Sequence, residues 1–110
     1  MTELDRAPFG MSQIEITLGL AITNLVVPGH LDFPTLIRKL STNPAKALKL
    51  DKGTLSVGTT ADVTIIDPKV TWKVDSNQFA SLSTNTPFNE LTLTGRAETV
   101  IVDGTIKLQR

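Results

Sequence analysis

The sequence predicts an α+β chain in which helices come first and strands follow. Two observations carry this. Up to Gly53 the apolar residues recur at helical spacing. Beyond Gly53 the texture changes to short Val-, Ile- and Thr-rich runs, each bounded by Gly, Pro, Asp or Asn, as strands and turns are. Such an order belongs to an α+β domain, or to a piece cut across two layers of a larger protein.

The elements follow in sequence. From Ser12, the residues Ile14, Leu18, Ile22 and Leu25 form a helical stripe, widened by Leu20, Val26 and Val27 and broken by Pro28-Gly29. Asp32 is placed to cap a second helix that turns Leu36, Ile37 and Leu40 inward, with Pro34 in the first turn, where N–H groups lack helical partners anyway. Asn43-Pro44 repeats the device, so a third helix is expected from there until Gly53. The expected strands are "TLSV" (54–57), "DVTIID" (62–67), "VTWKV" (70–74), "LTLTG" (91–95) and "ETVIV" (98–102). In "ADVTIID", Ala61, Val63 and Ile65 share one face. Asp103-Gly104 is a two-residue hairpin signal that sets Ile101 opposite Ile106 and Thr99 opposite Leu108.

Composition narrows the function. A chain of 110 residues supports one modest core. It cannot contain a barrel of about 250 residues. Eleven basic and eleven acidic side chains cancel, with no basic run to track phosphates, so nucleic acid is not an expected partner. The most apolar stretch, "IEITLGLAITNLVV", is interrupted by Glu15 and Asn24 and is too short for a membrane span. "MTELDR" opens acidic and lacks an apolar signal-peptide region, and there is no cysteine, so a cytoplasmic location is expected.

Few side chains could carry chemistry. His30 follows Pro28-Gly29 and reads as a turn histidine, since zinc needs three or four convergent ligands that the sequence does not cluster around it. Glu3, Asp5 and Glu15 could mimic a carboxylate pair, but nothing fixes their separation and a solvated acidic start is the plainer reading. "GTLSVG" lacks the helix that must follow a phosphate-cradling loop. In "APFGMS", Gly10 at the mouth of a helix could present backbone N–H groups to an anion such as a carboxylate, or could serve only the bend of the chain. Trp72 reads as a core or interface residue, and Phe88 of "NTPF" as a loop anchor docking into the core.

Five segments together, "APFGMSQIEITLGLAITNLV", "LSTNPAKALKLDKGTLSVGTTADVTIIDP", "TWKVD", "FASLSTNTPF" and "LTGRAETVIVDGTIK", resemble the C-terminal quarter of bacterial-type dihydroorotases in the amidohydrolase superfamily. The stretch from Asn43 to Pro68 is shared with hydantoinases, dihydropyrimidinases and allantoinases; the early "APFG" and the later pattern of "WKVD", "FASLSTNTPF" and "LTG" favour dihydroorotase. After the first loop the family commonly has Gly-Leu-Glu-Thr, where this chain has Gln13, Ile14, Glu15 and Ile16 and so keeps the glutamate. A glycine usually follows the "NTPF" phenylalanine at a short distance, where "NELTL" stands here.

The resemblance implies that residues 1–53 are the last helices of a (β/α)8 barrel and that residues 54–110 belong to a small composite β-sandwich. It implies a parent enzyme in which metal-held hydroxide opens dihydroorotate to N-carbamoyl-L-aspartate, or the reverse, in pyrimidine biosynthesis. The zinc ligands and catalytic aspartate of that family lie in segments absent from this sequence, so the chain alone is expected to be inactive. Phe9 and Gly10 match positions where the family's backbone contacts the ring substrate. The expected partners are that small substrate and the missing barrel segment or, failing that, a second copy through exposed apolar surface. A non-catalytic module or partner subunit, or the tail of a hydantoinase- or allantoinase-type enzyme, remains open.

Overall fold

The computed structural model describes residues 3–7 and 9–110. After a short turn at Leu4–Arg6, the chain forms α1 (Thr17–Ala21), α2 (Phe33–Ile37), α3 (Asn43–Ala47), β1 (Val63–Lys73), β2 (Thr92–Val102) and β3 (Thr105–Gln109). Among the described residues the strands make one three-stranded antiparallel sheet in the order β1-β2-β3. The α+β class is therefore observed, with a single sheet layer. Among these residues no helix is long and apolar enough to cross a membrane.

The first helix begins later than its sequence suggests. Residues 14–16 form a turn, α1 starts at Thr17, and a wider π-type turn continues it over Ile22–Val26. Its buried stripe is Ile16, Gly19 and Ile22, whereas Ile14 and Leu25 of the expected stripe are exposed. The reason is the sheet: α1 approaches β2 so closely that a Cβ on Gly19 would lie 3.1 Å from the Gly95 carbonyl, the Leu93 side chain and the Trp72 ring. Only the smallest face of the helix fits there.

Asp32 caps α2 as expected, its Oδ1 accepting from the Thr35 N–H at 2.8 Å, with Pro34 in the first turn. Asn43-Pro44, however, does not begin a separate helix. Residues 33–47 run on continuously, through a π-type turn at Arg38–Thr42, and Asn43 before Pro44 is itself helical. Proline lacks an N–H and its ring crowds the carbonyl four residues back; a wider turn just before it relieves both problems. The helix also ends before Gly53: Lys49 takes a positive φ of 54°, and the Leu50 N–H closes onto the Ala45 carbonyl at 2.8 Å. Gly53 instead lets the returning chain cross the helix, where a Cβ would meet Ala45 at 3.1 Å.

Of the five expected strands one is lost and four fuse into two, and the third strand of the sheet, β3, is the second arm of the expected hairpin. "TLSV" is irregular, with Leu55 and Val57 exposed, because the pairing edge it would need is not supplied by the described residues; hydroxyl bonds among Thr54, Ser56 and Thr59 hold it instead. "DVTIID" and "VTWKV" fuse into β1 through a bulge at Pro68–Val70, where Asp67 Oδ1 accepts from the Lys69 and Val70 N–H groups at 2.9 and 3.1 Å. "LTLTG" and "ETVIV" likewise fuse into β2. At the Asp103-Gly104 turn both residues have positive φ, 49° and 74°, and Ile101 pairs with Ile106 as expected. Thr99 pairs with Gln109 rather than Leu108, because a register shift beyond Ile101 leaves one extra residue, Lys107, on β3.

The core is Ile16, Val74 and Leu93, with Leu20, Trp72, Phe79 and Phe88 packed around it. Both aromatic expectations hold: Trp72 and Phe88 are core-packed. Trp72 also donates its Nε1–H to the Gly95 carbonyl at 2.9 Å. Ile65, Val102 and Ile106 of the sheet stay exposed.

Gly95 sits at φ +86°, and a Cβ there would come within 2.5 Å of Ile22 Cδ1 and 3.0 Å of its Cγ2. Gly95→Ala is expected to destabilise the fold by about 1–3 kcal/mol from overpacking and backbone strain together. Urea unfolding of the two proteins checks this, and an unchanged midpoint would contradict the close packing.

Candidate functional site

Two loops meet on one side of the core. The first, residues 9–16, carries Phe9 and Gly10; the second, residues 79–88, carries "FASLSTNTPF". They run antiparallel and are stitched at two places. At one, the Asn85 side-chain Nδ2 donates to the Gly10 carbonyl at 3.1 Å, and the Ser12 N–H donates to the Asn85 carbonyl at 2.7 Å. At the other, the Glu15 carboxylate accepts from the Ala80 N–H at 3.2 Å, the Ser81 N–H at 3.0 Å and the Ser81 hydroxyl at 3.2 Å.

The electrostatics of Glu15 follow from these contacts. Its slight burial pushes the carboxyl up, but the Ser81 and Ala80 N–H groups, the Ser81 hydroxyl and nearby Arg110 outweigh that and hold it below its ordinary range. Glu15 is thus a charged latch between loops, its carboxylate engaged by the Ala80 and Ser81 donors. Glu3 and Asp5 lie exposed in the N-terminal segment.

Phe9 is fully exposed and Gly10 has φ +139° with open space where a side chain would project. The loop Met11–Ile16 separates Gly10 from α1, so the expected helix mouth is not there and any anion would meet loop N–H groups rather than a helix terminus. The positive φ fits the bend reading of Gly10. Pro8 of the motif lies outside the described residues. His30 sits exposed in a bend. Among the described residues no three His, Cys, Asp or Glu side chains group as a metal site. The donors present do not fit a zinc centre.

A separate clasp closes the segment between helix and sheet. Lys52 pairs with Asp62, whose other oxygen accepts from the Asp103 N–H at 2.8 Å, and the Gly104 N–H reaches the Ala61 carbonyl at 3.0 Å. The Lys52 contact, then the Asp103 N–H, hold Asp62 below its ordinary range, and Lys52 is raised in turn, chiefly by the same hydrogen bond. An open groove of about 730 Å³ lies alongside, between Phe33, Ile37 and Leu40 of the helical run and Val63, Ile66 and Ile101 of the sheet. It is apart from the Phe9–Gly10 loop.

The sequence singled out Phe9, Gly10 and Glu15 one by one. That Glu15 and Asn85 join the two loops was missed; the persistence of the glutamate after the first loop was the one signal available.

Residues 10–107 match the model of the amidohydrolase family, and the chain belongs to that family. Within it, the chain is 41% identical to a dihydroorotase of Solibacter usitatus over 110 residues, all of this chain and 26% of that protein. It is 45% identical to a dihydroorotase of Ruminiclostridium cellulolyticum over 103 residues, 94% of this chain and 24% of that one. Among solved structures, an L-hydantoinase (dihydropyrimidinase) from Arthrobacter aurescens superposes with a TM-score of 0.85 at 35% identity, covering 94% of this chain and 23% of that one. A D-hydantoinase from Thermus sp. gives a TM-score of 0.83 at 29% identity, over 93% and 23% of the two chains. This chain spans about a quarter of the length of the relatives it matches.

Because the folded-state pKa of Glu15 is depressed, its contribution to stability is present above the ordinary carboxylate range and is lost as pH falls through the folded value. Glu15→Gln should lower the stability at neutral pH by a solvent-screened amount, below about 1 kcal/mol. The difference from the unsubstituted protein should vanish in acid. Urea midpoints measured across pH check this, and a difference that persists in acid would point to a steric effect.

Proposed function

We propose that this chain is the C-terminal portion of a zinc-dependent dihydroorotase that interconverts N-carbamoyl-L-aspartate and dihydroorotate in pyrimidine biosynthesis, in the cytoplasm. The observation that carries this reading is the joining of residues 9–16 to 79–88 through Asn85 and Glu15. Both stretches belong to the motifs that, in the sequence, favour dihydroorotase over the other cyclic-amide hydrolases. Similarity to dihydroorotases over the whole length supports it further.

In this reading residues 1–53 complete the barrel and residues 54–110 contribute to a β-sandwich finished by strands from elsewhere in the parent. The exposed Ile65, Val102 and Ile106 suit a sheet built to receive more protein. Zinc and its ligands belong to the rest of the parent. The role of this chain is to present the Phe9–Gly10 backbone to the ring. A hydantoin-type substrate is the second reading, supported by the likeness to the Arthrobacter aurescens L-hydantoinase.

The test is substrate turnover. The full parent protein, loaded with zinc, is expected to open dihydroorotate, while the 110-residue chain given zinc and dihydroorotate should show none above background. Faster turnover of hydantoin or allantoin by the parent would move the assignment to the second reading. Ring opening by the short chain alone would overturn the division of labour.

A further inference from the structure

The Gly10 end of the first loop is held by Asn85. Asn85 donates from Nδ2 to the Gly10 carbonyl at 3.1 Å, accepts from the Ser12 N–H at 2.7 Å, and donates its own N–H to the Ser83 hydroxyl at 3.2 Å. Its segment is fixed at both ends, because Phe79 and Phe88 both pack on the Ile16, Val74 and Leu93 core. Pro87 restricts Thr86 to extended backbone, so little slack separates the Phe88 anchor from Asn85. A trans peptide is planar, with its C=O and N–H opposed. With the Gly10 carbonyl turned to Asn85, the Met11 N–H on the same peptide is turned away from Asn85.

We infer that Asn85 is a positioning residue for the ring substrate: it sets the Gly10–Met11 peptide so that the loop's backbone donors face the acceptor oxygens of a cyclic imide or its carboxylate. The inference rests on the proposed dihydroorotase reading and adds to it the residue that orients the loop. Asn85 itself touches the loop rather than the substrate. Its side chain is exposed, and it contributes little to the buried core.

The experiment uses the full zinc-loaded parent with two substitutions. Asn85→Ala removes the side-chain donor while leaving the backbone bond to Ser12; Asn85→Asp keeps the shape but replaces the donor with an acceptor facing the Gly10 carbonyl. Loss of one well-placed hydrogen bond corresponds to roughly tenfold in affinity. Both variants should therefore raise KM for dihydroorotate about tenfold with kcat nearly unchanged. The thermal midpoint should hold, and the Gly10–Ser12 amides should exchange faster without substrate. Asn85→Asp should be at least as severe as Asn85→Ala. An active parent whose KM is unmoved by either change would overturn the inference alone, as would a KM change that merely tracks a fall in thermal midpoint. A parent that does not turn over dihydroorotate would overturn the functional reading and, with it, the substrate assigned to this loop.

Discussion

α1 and β2 approach closely enough that glycine is needed on both sides, and the core is arranged around that contact. Gly19 and Gly95 remove the side chains that would keep helix and strand apart. The Thr23 hydroxyl then accepts from the Thr94 N–H at 2.8 Å and donates to the Thr94 carbonyl at 3.3 Å, so the helix completes the polar pairing of the strand it rests on. The Asp67–Val70 bulge in β1 lies opposite Gly95 and leaves the strand room for its positive φ. Trp72 closes the joint by bonding the Gly95 carbonyl. A buried polar backbone group and a close apolar contact are satisfied by the same few residues.

From that joint, order is passed outward. Ile16, at the foot of the first loop, and Phe79 and Phe88, at the two ends of the second, belong to one cluster with Leu93 and Val74. Both loops therefore leave the core from fixed points. Their polar stitches join segments whose ends are already held, so less conformational entropy opposes each bond than between two free loops. An exposed glycine with positive φ can then keep a defined direction without being buried.

Local chemistry was the legible part of the fold. Asp32 could cap because its partner N–H is three residues away, and Asp103-Gly104 could turn because both residues tolerate positive φ; neither depends on anything distant. The errors have a common cause in tertiary context. Asn43 has the chemistry of a cap, but the preceding helix continues into it through a wider turn. "TLSV" has the composition of a strand without a described edge to pair with. The shift at Lys107 depends on how β3 lies along β2, and the buried stripe of α1 was chosen by Gly95, more than seventy residues away. For the candidate site, the resemblance named Phe9 and Gly10, while Asn85 and Glu15 became informative only when folding brought their loops together.

The separation of those loops along the chain bears on the order of assembly. Gly10 and Asn85 are 75 residues apart, and Glu15 and Ala80 are 65 apart. Closing such spans is entropically unfavourable until intervening contacts have drawn the ends together, whereas the β2–β3 hairpin closes over two residues. By this measure the hairpin precedes the stitching of the loops, whereas the α1–β2 joint, which closes 71 residues between Thr23 and Thr94, belongs with the long-range closures. A partly folded chain could already possess its sheet while its Phe9–Gly10 loop still lacked a fixed shape, so the geometry of that loop would be acquired at a late stage of folding.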